Sequence, residues 1–298
     1  MPSHRQALRI IGLTVLLAGM SALFVRVAPW HAELAETNFQ ANLIRLQAFL
    51  FDSPHQSVLA GSSIAGRLLP TYFEGTPLAP LANLGLDGSS ALLGLDLALT
   101  NPPPVVLVEV NTLLKPYDAN DELLVRTLRS FMFRASGKVG LLRAEWRPSS
   151  MIYSWLKTRR AQGRGAPAGP SPRAPTALAG DPLRAPAADP GLEATKAHLR
   201  ARIQALTAHG SRVVLVLLPT GRRSNSSNNP CLAFADELAR EFHLLQLDLE
   251  AECSSRGRVL TYSDGLHLAP AAARETSQLL SQLLPKTESA AANVRRTR

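Results

Sequence analysis

The chain has 298 residues, 46% of them hydrophobic, which is enough for one substantial core with appendages. Its 32 Lys and Arg against 23 Asp and Glu leave a formal charge of +9. The positives are dispersed over appendage-like stretches, with no basic helix interleaved with aromatics; this argues against nucleic acid and leaves an anionic membrane surface or an acidic glycan as neighbour.

From the N-terminus, residues 10–25, "IIGLTVLLAGMSALFV", are uncharged and apolar, with Arg5 and Arg9 before them and Arg26 directly after. At about 1.5 Å per residue this run falls slightly short of a bilayer core, and flanking residues complete the span. A transmembrane helix within residues 1–30 is expected. No clean small-residue cleavage site follows, so an uncleaved signal anchor is favoured over a secretory peptide, with the remaining chain exported from the cytoplasmic membrane.

Residues 31–54 space their apolar side chains at three and four, as an amphipathic connecting helix would. Five short apolar runs then end in turn signals, at residues 57–63, 81–88, 104–111, 211–220 and 243–250. Their continuous hydrophobicity suits strands covered on both faces. Helical patterns lie between them at 91–100, 192–210 and 231–242, and "PAAARETSQLLSQLL" follows from Pro270, a residue suited to a first helical turn. The alternation predicts an α/β fold, a three-layer αβα sandwich on a five-stranded parallel sheet, over residues 55–284. A helical insertion at 116–157 interrupts it and could form a lid. Residues 161–191 are too rich in Pro, Ala and Gly to bury a core, and disorder is expected there and in the basic tail, residues 285–298.

Cys231 and Cys253 are the two cysteines. In an exported domain they are a candidate disulfide, worth a few kcal/mol by loop entropy, against the alternative of two buried thiols. Without histidines nearby they make no zinc site.

The stretch "AGSSIAGRL", residues 60–68, admits three readings. Gly61 and Gly66 have the spacing of a phosphate loop, but Arg67 and Leu68 stand where its lysine and hydroxyl belong. Ser62 and Ser63 could simply cap a helix beginning near Ile64. The third reading is a nucleophile, and it draws on "YSDGLHLAP" near the C-terminus, where Asp264 and His267 are three apart in a glycine-containing turn. Such a carboxylate can hold the imidazole tautomer whose Nε2 faces a serine. Asn111 alone would read as a strand-end cap and Gly88 as a turn glycine.

Taken in order, Ser63 in "GSS", Gly88 in "NLGLDGSS", Asn111 in "VEVN" and Asp264 with His267 in "DGLHL" resemble the four blocks of the SGNH (GDSL-type) hydrolase superfamily. Two departures stand out: Ser62 replaces the aspartate usual in the first block, and Glu109 the glycine usual in the third. The resemblance implies a flavodoxin-like SGNH fold with Ser63, Asp264 and His267 catalytic. The oxyanion hole would be formed by the N–H groups of Ser63 and Gly88 and the Asn111 amide. It implies a serine esterase that removes acyl or acetyl groups from an envelope or secreted polysaccharide, or from a small ester, on the periplasmic side of a membrane through an acyl-enzyme, with no metal or organic cofactor needed. Alternatives are an O-acyltransferase working beside a polytopic membrane acyltransferase, a non-catalytic scaffold of the same fold, and a thioesterase or phospholipase.

Overall fold

The computed structural model describes residues 4–27, 37–52, 54–147, 149–153, 156, 190–221 and 229–284. The tail at 285–298 and all but the end of the Pro/Ala/Gly-rich stretch at 161–191 lie outside the described residues. The described residues fall into two units, one drawn from Met1–Phe51 and Val125–Pro167, the other from Asp52–Leu124 and Ala168–Arg298.

The first unit begins with helix α1 (His4–Val27), followed by α2 (Asn38–Phe51). It also holds the second half of the segment expected as a helical insertion, including α5 (Phe131–Lys138) and two 3₁₀ turns; α4 (Ala119–Leu128) precedes α5 and crosses the division between the units. Leu43, Leu46 and Phe49 of α2 are buried, as are Phe133, Ala144 and Met151. Phe51 and Phe133 stack at 5.3 Å between ring centroids. Gln47 ties the elements together, donating to Ser136 Oγ at 2.7 Å and accepting the Ala144 N–H at 2.7 Å.

The transmembrane expectation is corrected in part. Residues 10–25 are helical, within the 24 residues of α1. Among the described residues, however, no helix is long and apolar enough to cross a membrane. Arg5 and Arg9 lie in the first turns of α1, and the uncharged stretch after them, residues 10–25, falls short of the ~20 apolar residues a span requires. Its described apolar side chains, Leu8 and Ile10 through Leu23, are all exposed.

The second unit is built on a five-stranded, fully parallel sheet: β1 (Ser57–Gly61), β2 (Leu81–Gly85), β3 (Val105–Glu109), β4 (Arg212–Leu217) and β5 (Leu245–Asp248). The spatial order is β2-β1-β3-β4-β5. Strands β1 to β3 are buried at every position, and β4 at all but its first, as continuous apolar runs require; β5, at the sheet edge, is half-buried. The helices are α3 (Ala91–Ala98), α6 (Pro190–Ala208), α7 (Pro230–Phe242), α8 (Leu249–Ser255) and α9 (Pro270–Leu283).

Successive strand residues point to opposite faces, so the packing of neighbours locates the helices. Leu59, Leu107, Val214 and Val216 share a core with Ala272, Ala273 and Leu280 of α9. Ala60, one residue on, lies under α3, where a Cβ on Gly94 would come within 2.8 Å of its own. Helices therefore cover both faces. The run at 243–250 was expected to be extended throughout, but Asp248 ends it. The Asp248 carboxylate accepts the Ala251 N–H at 2.9 Å and caps α8, so Leu249 and Glu250 are helical.

The expected disulfide is absent: Cys231 and Cys253 are free thiols. Cys231, in the first turn of α7, lies beside the backbone of Leu113 and Leu114, whereas Cys253, on α8, lies beside Thr276 of α9. Each is packed against a different part of the unit, and burial pushes both thiols up from their ordinary range.

Candidate active site

Parallel strands all end at one edge of a sheet, and the order β2-β1-β3 sets the loop after β1 between those after β2 and β3. Ser63 follows β1, Gly88 follows β2 and Asn111 follows β3. The remaining residues, Asp264 and His267, come from the loop before α9. Three sequence-predicted residues meet directly: Ser63 Oγ lies 2.9 Å from His267 Nε2, and His267 Nδ1 lies 2.6 Å from Asp264 Oδ2.

The Asp264 loop is built to present the imidazole. Asp264 Oδ1 accepts the N–H of Leu266 at 3.0 Å and that of His267 at 2.8 Å, a side-chain-closed turn made possible by Gly265 at φ +77°. Ser263 N–H donates to the His267 carbonyl at 2.8 Å, and Tyr262 bridges to Leu268, whose side chain is buried in the core. Burial alone would push the Asp264 carboxyl up. The hydrogen bonds from the His267 N–H and imidazole and from the Leu266 N–H outweigh it and bring the carboxyl down to about 2. Asp264 is therefore ionised at neutral pH and accepts from Nδ1–H, which leaves the Nε2 lone pair facing Ser63.

The loop after β1 turns around a buried carboxylate. Glu109, the last residue of β3, is fully buried. Its Oε2 accepts the N–H of Ser62 at 2.7 Å and that of Ala65 at 3.2 Å; Ser62 Oγ donates to the carboxylate at 2.9 Å and Thr112 Oγ1 contacts it at 3.4 Å. Burial raises the Glu109 carboxyl, and these bonds partly counter the rise. Gly61 makes room for it: a Cβ there would stand 2.4 Å from Glu109 Oε2 and 2.6 Å from its Cβ. On the other side Asn83 of β2 donates to the carbonyls of Ala65 and Leu68 at 3.0 and 2.6 Å and accepts the Gly85 N–H at 2.7 Å. Where the capping reading would begin a helix near Ile64, the chain makes a single 3₁₀ turn, Ala65–Arg67.

The two other predicted residues are placed differently. Gly88 has φ +74° in the turn that the Ser89 N–H closes onto the Leu86 carbonyl at 3.1 Å, and Lys115 Nζ donates to its carbonyl while pairing with Asp118 at 3.1 Å. Asn111 uses its amide as a false peptide unit: Nδ2 donates to the Leu218 carbonyl and Oδ1 accepts the Leu218 N–H, both at 2.9 Å. It thereby extends the β3–β4 ladder past the strand ends. One N–H of that amide is committed to Leu218, so only the second could reach an oxyanion.

Sequence reasoning passed over Asn83 and saw Glu109 only as a departure from a motif. The signal for both was a polar residue in an otherwise apolar strand, Asn83 at the middle of β2 and Glu109 at the end of β3, which folding permits when its hydrogen bonds are met. No family model matches this chain, and no curated protein matches it either.

Proposed function

We propose that this chain is an SGNH-type serine acyl hydrolase. The observation that carries the reading is the continuous relay from Ser63 Oγ through His267 to the ionised Asp264, at 2.9 and 2.6 Å. The parallel sheet with helices on both faces supports the three-layer arrangement of that superfamily. Its four blocks, in Ser63, Gly88, Asn111 and Asp264 with His267, all fall at strand ends or in the loop before the last helix.

In this mechanism Ser63 Oγ bonds to an ester carbonyl carbon while His267 Nε2 takes its proton, and the carbonyl π pair moves onto oxygen. The Ser63 N–H, with the Gly88 N–H and the second Asn111 amide hydrogen, holds that oxygen. Collapse breaks the bond to the alcohol, which leaves with the proton from Nε2. Water then repeats the sequence in reverse roles and frees the acid and Ser63. Asp264 stays ionised throughout and stabilises the imidazolium.

The proposed substrate class is acyl esters, with O-acyl groups on envelope polysaccharide as the candidate the resemblance suggests. The apolar run at residues 10–25 and the exposed apolar side chains of α1 support a location against a membrane. The reading is tested with p-nitrophenyl acetate and a fluorophosphonate probe on the full chain. Turnover and labelling are both expected, and both vanish in Ser63→Ala; a Ser63→Ala variant that turns over ester like the natural chain removes the nucleophile.

A further inference from the structure

We infer that Glu109 is a positioning residue that aims the Ser63 N–H as the oxyanion donor, by gathering the neighbouring N–H groups of the nucleophile loop onto itself. The inference rests on the serine-hydrolase reading and adds to it a part outside the four blocks.

The argument is an account of donors, since buried backbone N–H groups are almost always paired. From Ser62 to Leu68 the loop has seven. Ser62 and Ala65 donate to Glu109 Oε2. Ile64 donates to Ser62 Oγ at 3.2 Å, a hydroxyl itself held by the same carboxylate. Gly66 donates to the Ser62 carbonyl at 3.0 Å, Arg67 to that of Ile64 at 3.2 Å and Leu68 to that of Ala65 at 3.0 Å. Of these seven, only the Ser63 N–H has no acceptor among the described residues. It belongs to the residue whose Oγ faces His267, which is where the oxygen of a tetrahedral intermediate needs a donor.

The carboxylate is suited to this task by its place. It comes from the strand beside β1, its side chain is fully buried, and Gly61 leaves room for it directly beneath the loop. With Ser62 and Ala65 both bonded to one oxygen, the peptide between Ser62 and Ser63 has little freedom to rotate. What the arrangement requires of residue 109 is an acceptor at the Oε2 position and full side-chain length.

The test uses the full chain and p-nitrophenyl acetate, with Glu109→Gln and Glu109→Asp compared by kcat and KM and by inhibition with phenylboronic acid, whose adduct carries an oxygen in the same place. Glutamine keeps the acceptor at full length and is expected to hold kcat within about 5-fold. Aspartate withdraws it by one methylene; kcat and boronate affinity are expected to fall together on the order of 100-fold, with KM within about 3-fold. Thermal melts verify folding of each. An Asp variant with natural kcat, or a Gln variant as slow as Asp, overturns the inference while leaving the hydrolase reading intact. Ser63→Ala run alongside separates the two: if it turns over like the natural chain, the hydrolase reading falls and takes this one with it.

Discussion

Asp264 grips His267 at two points, its Oδ1 on the backbone N–H at 2.8 Å and its Oδ2 on Nδ1 at 2.6 Å. One carboxylate therefore fixes both where the imidazole starts and which nitrogen carries the proton. Asp264→Asn keeps the size but places an amide against Nδ1, and in its N–H orientation favours the tautomer with the proton on Nε2, facing Ser63. The expected result is a kcat loss on the order of 10³-fold with KM little changed and melting temperature lowered only slightly, because the side chain is half exposed. Steady-state kinetics on p-nitrophenyl acetate check it; a loss under 10-fold would mean the carboxylate does not govern the base.

Asn83→Ala removes two donors and one acceptor from a buried site and leaves the carbonyls of Ala65 and Leu68 and the Gly85 N–H without it. The Ala65 carbonyl keeps the Leu68 N–H, whereas the Leu68 carbonyl loses the Asn83 donor; an orphaned buried group costs on the order of 1–3 kcal/mol, so a destabilisation of about 2 kcal/mol is expected in urea unfolding. Activity should fall too, because the turn after Ser63 loosens. A change below about 0.5 kcal/mol would contradict the role given to Asn83.

Two carboxyls give opposite pH dependences. Asp264 is lower in the folded chain, at about 2, than its ordinary 3.8, so it contributes stability above 3.8 that is lost as pH falls towards 2. Glu109 is raised above its ordinary 4.5. The folded chain then binds more protons than the unfolded one above that value, and stability drains as pH rises through the folded value. Glu109→Gln cannot ionise; its melting temperature relative to the natural chain should therefore rise between pH of about 5 and about 8. Melts at both pH values decide, and a constant or falling difference counts against a proton-binding Glu109.

Free Cys231 and Cys253 predict that a reductant leaves the melting temperature unchanged. A thiol reagent applied to the denatured, unreduced chain should titrate both. Finding neither reactive would mean that they are bridged.

The sheet was legible because strands covered on both faces cannot alternate, so β1 to β4 appear as apolar runs interrupted only by Asn83 within β2 and by Ser57, Glu109 and Arg212 at strand ends. The end of β5 was not, since Leu249 continues the apolar run while the capping action of Asp248 depends on a backbone N–H three residues on. Ser63, Asp264 and His267 could be picked out as side chains of recognisable chemistry at recognisable places. Glu109 could not be assigned a task, because its main partners are main-chain groups of another loop, which leave no mark in the alphabet of residues. Asn111 was legible as a strand-end residue, but its pairing with Leu218 joins positions 107 apart that no local pattern links. The cysteines show the limit of counting: two thiols satisfy the arithmetic of a bridge, whereas their packing against Leu113–Leu114 and Thr276 does not.

Ser63 and His267 are 204 residues apart, and His267 is followed at once by α9, whose Ala272, Ala273 and Leu280 complete the core around Leu59. During synthesis, then, Ser63 is made well before the residue it pairs with, and the two cannot meet until the chain has grown past His267. A chain that stops short of residue 267 carries the hydroxyl without the imidazole, so the bond between them and the closing of the core by α9 are completed late and together.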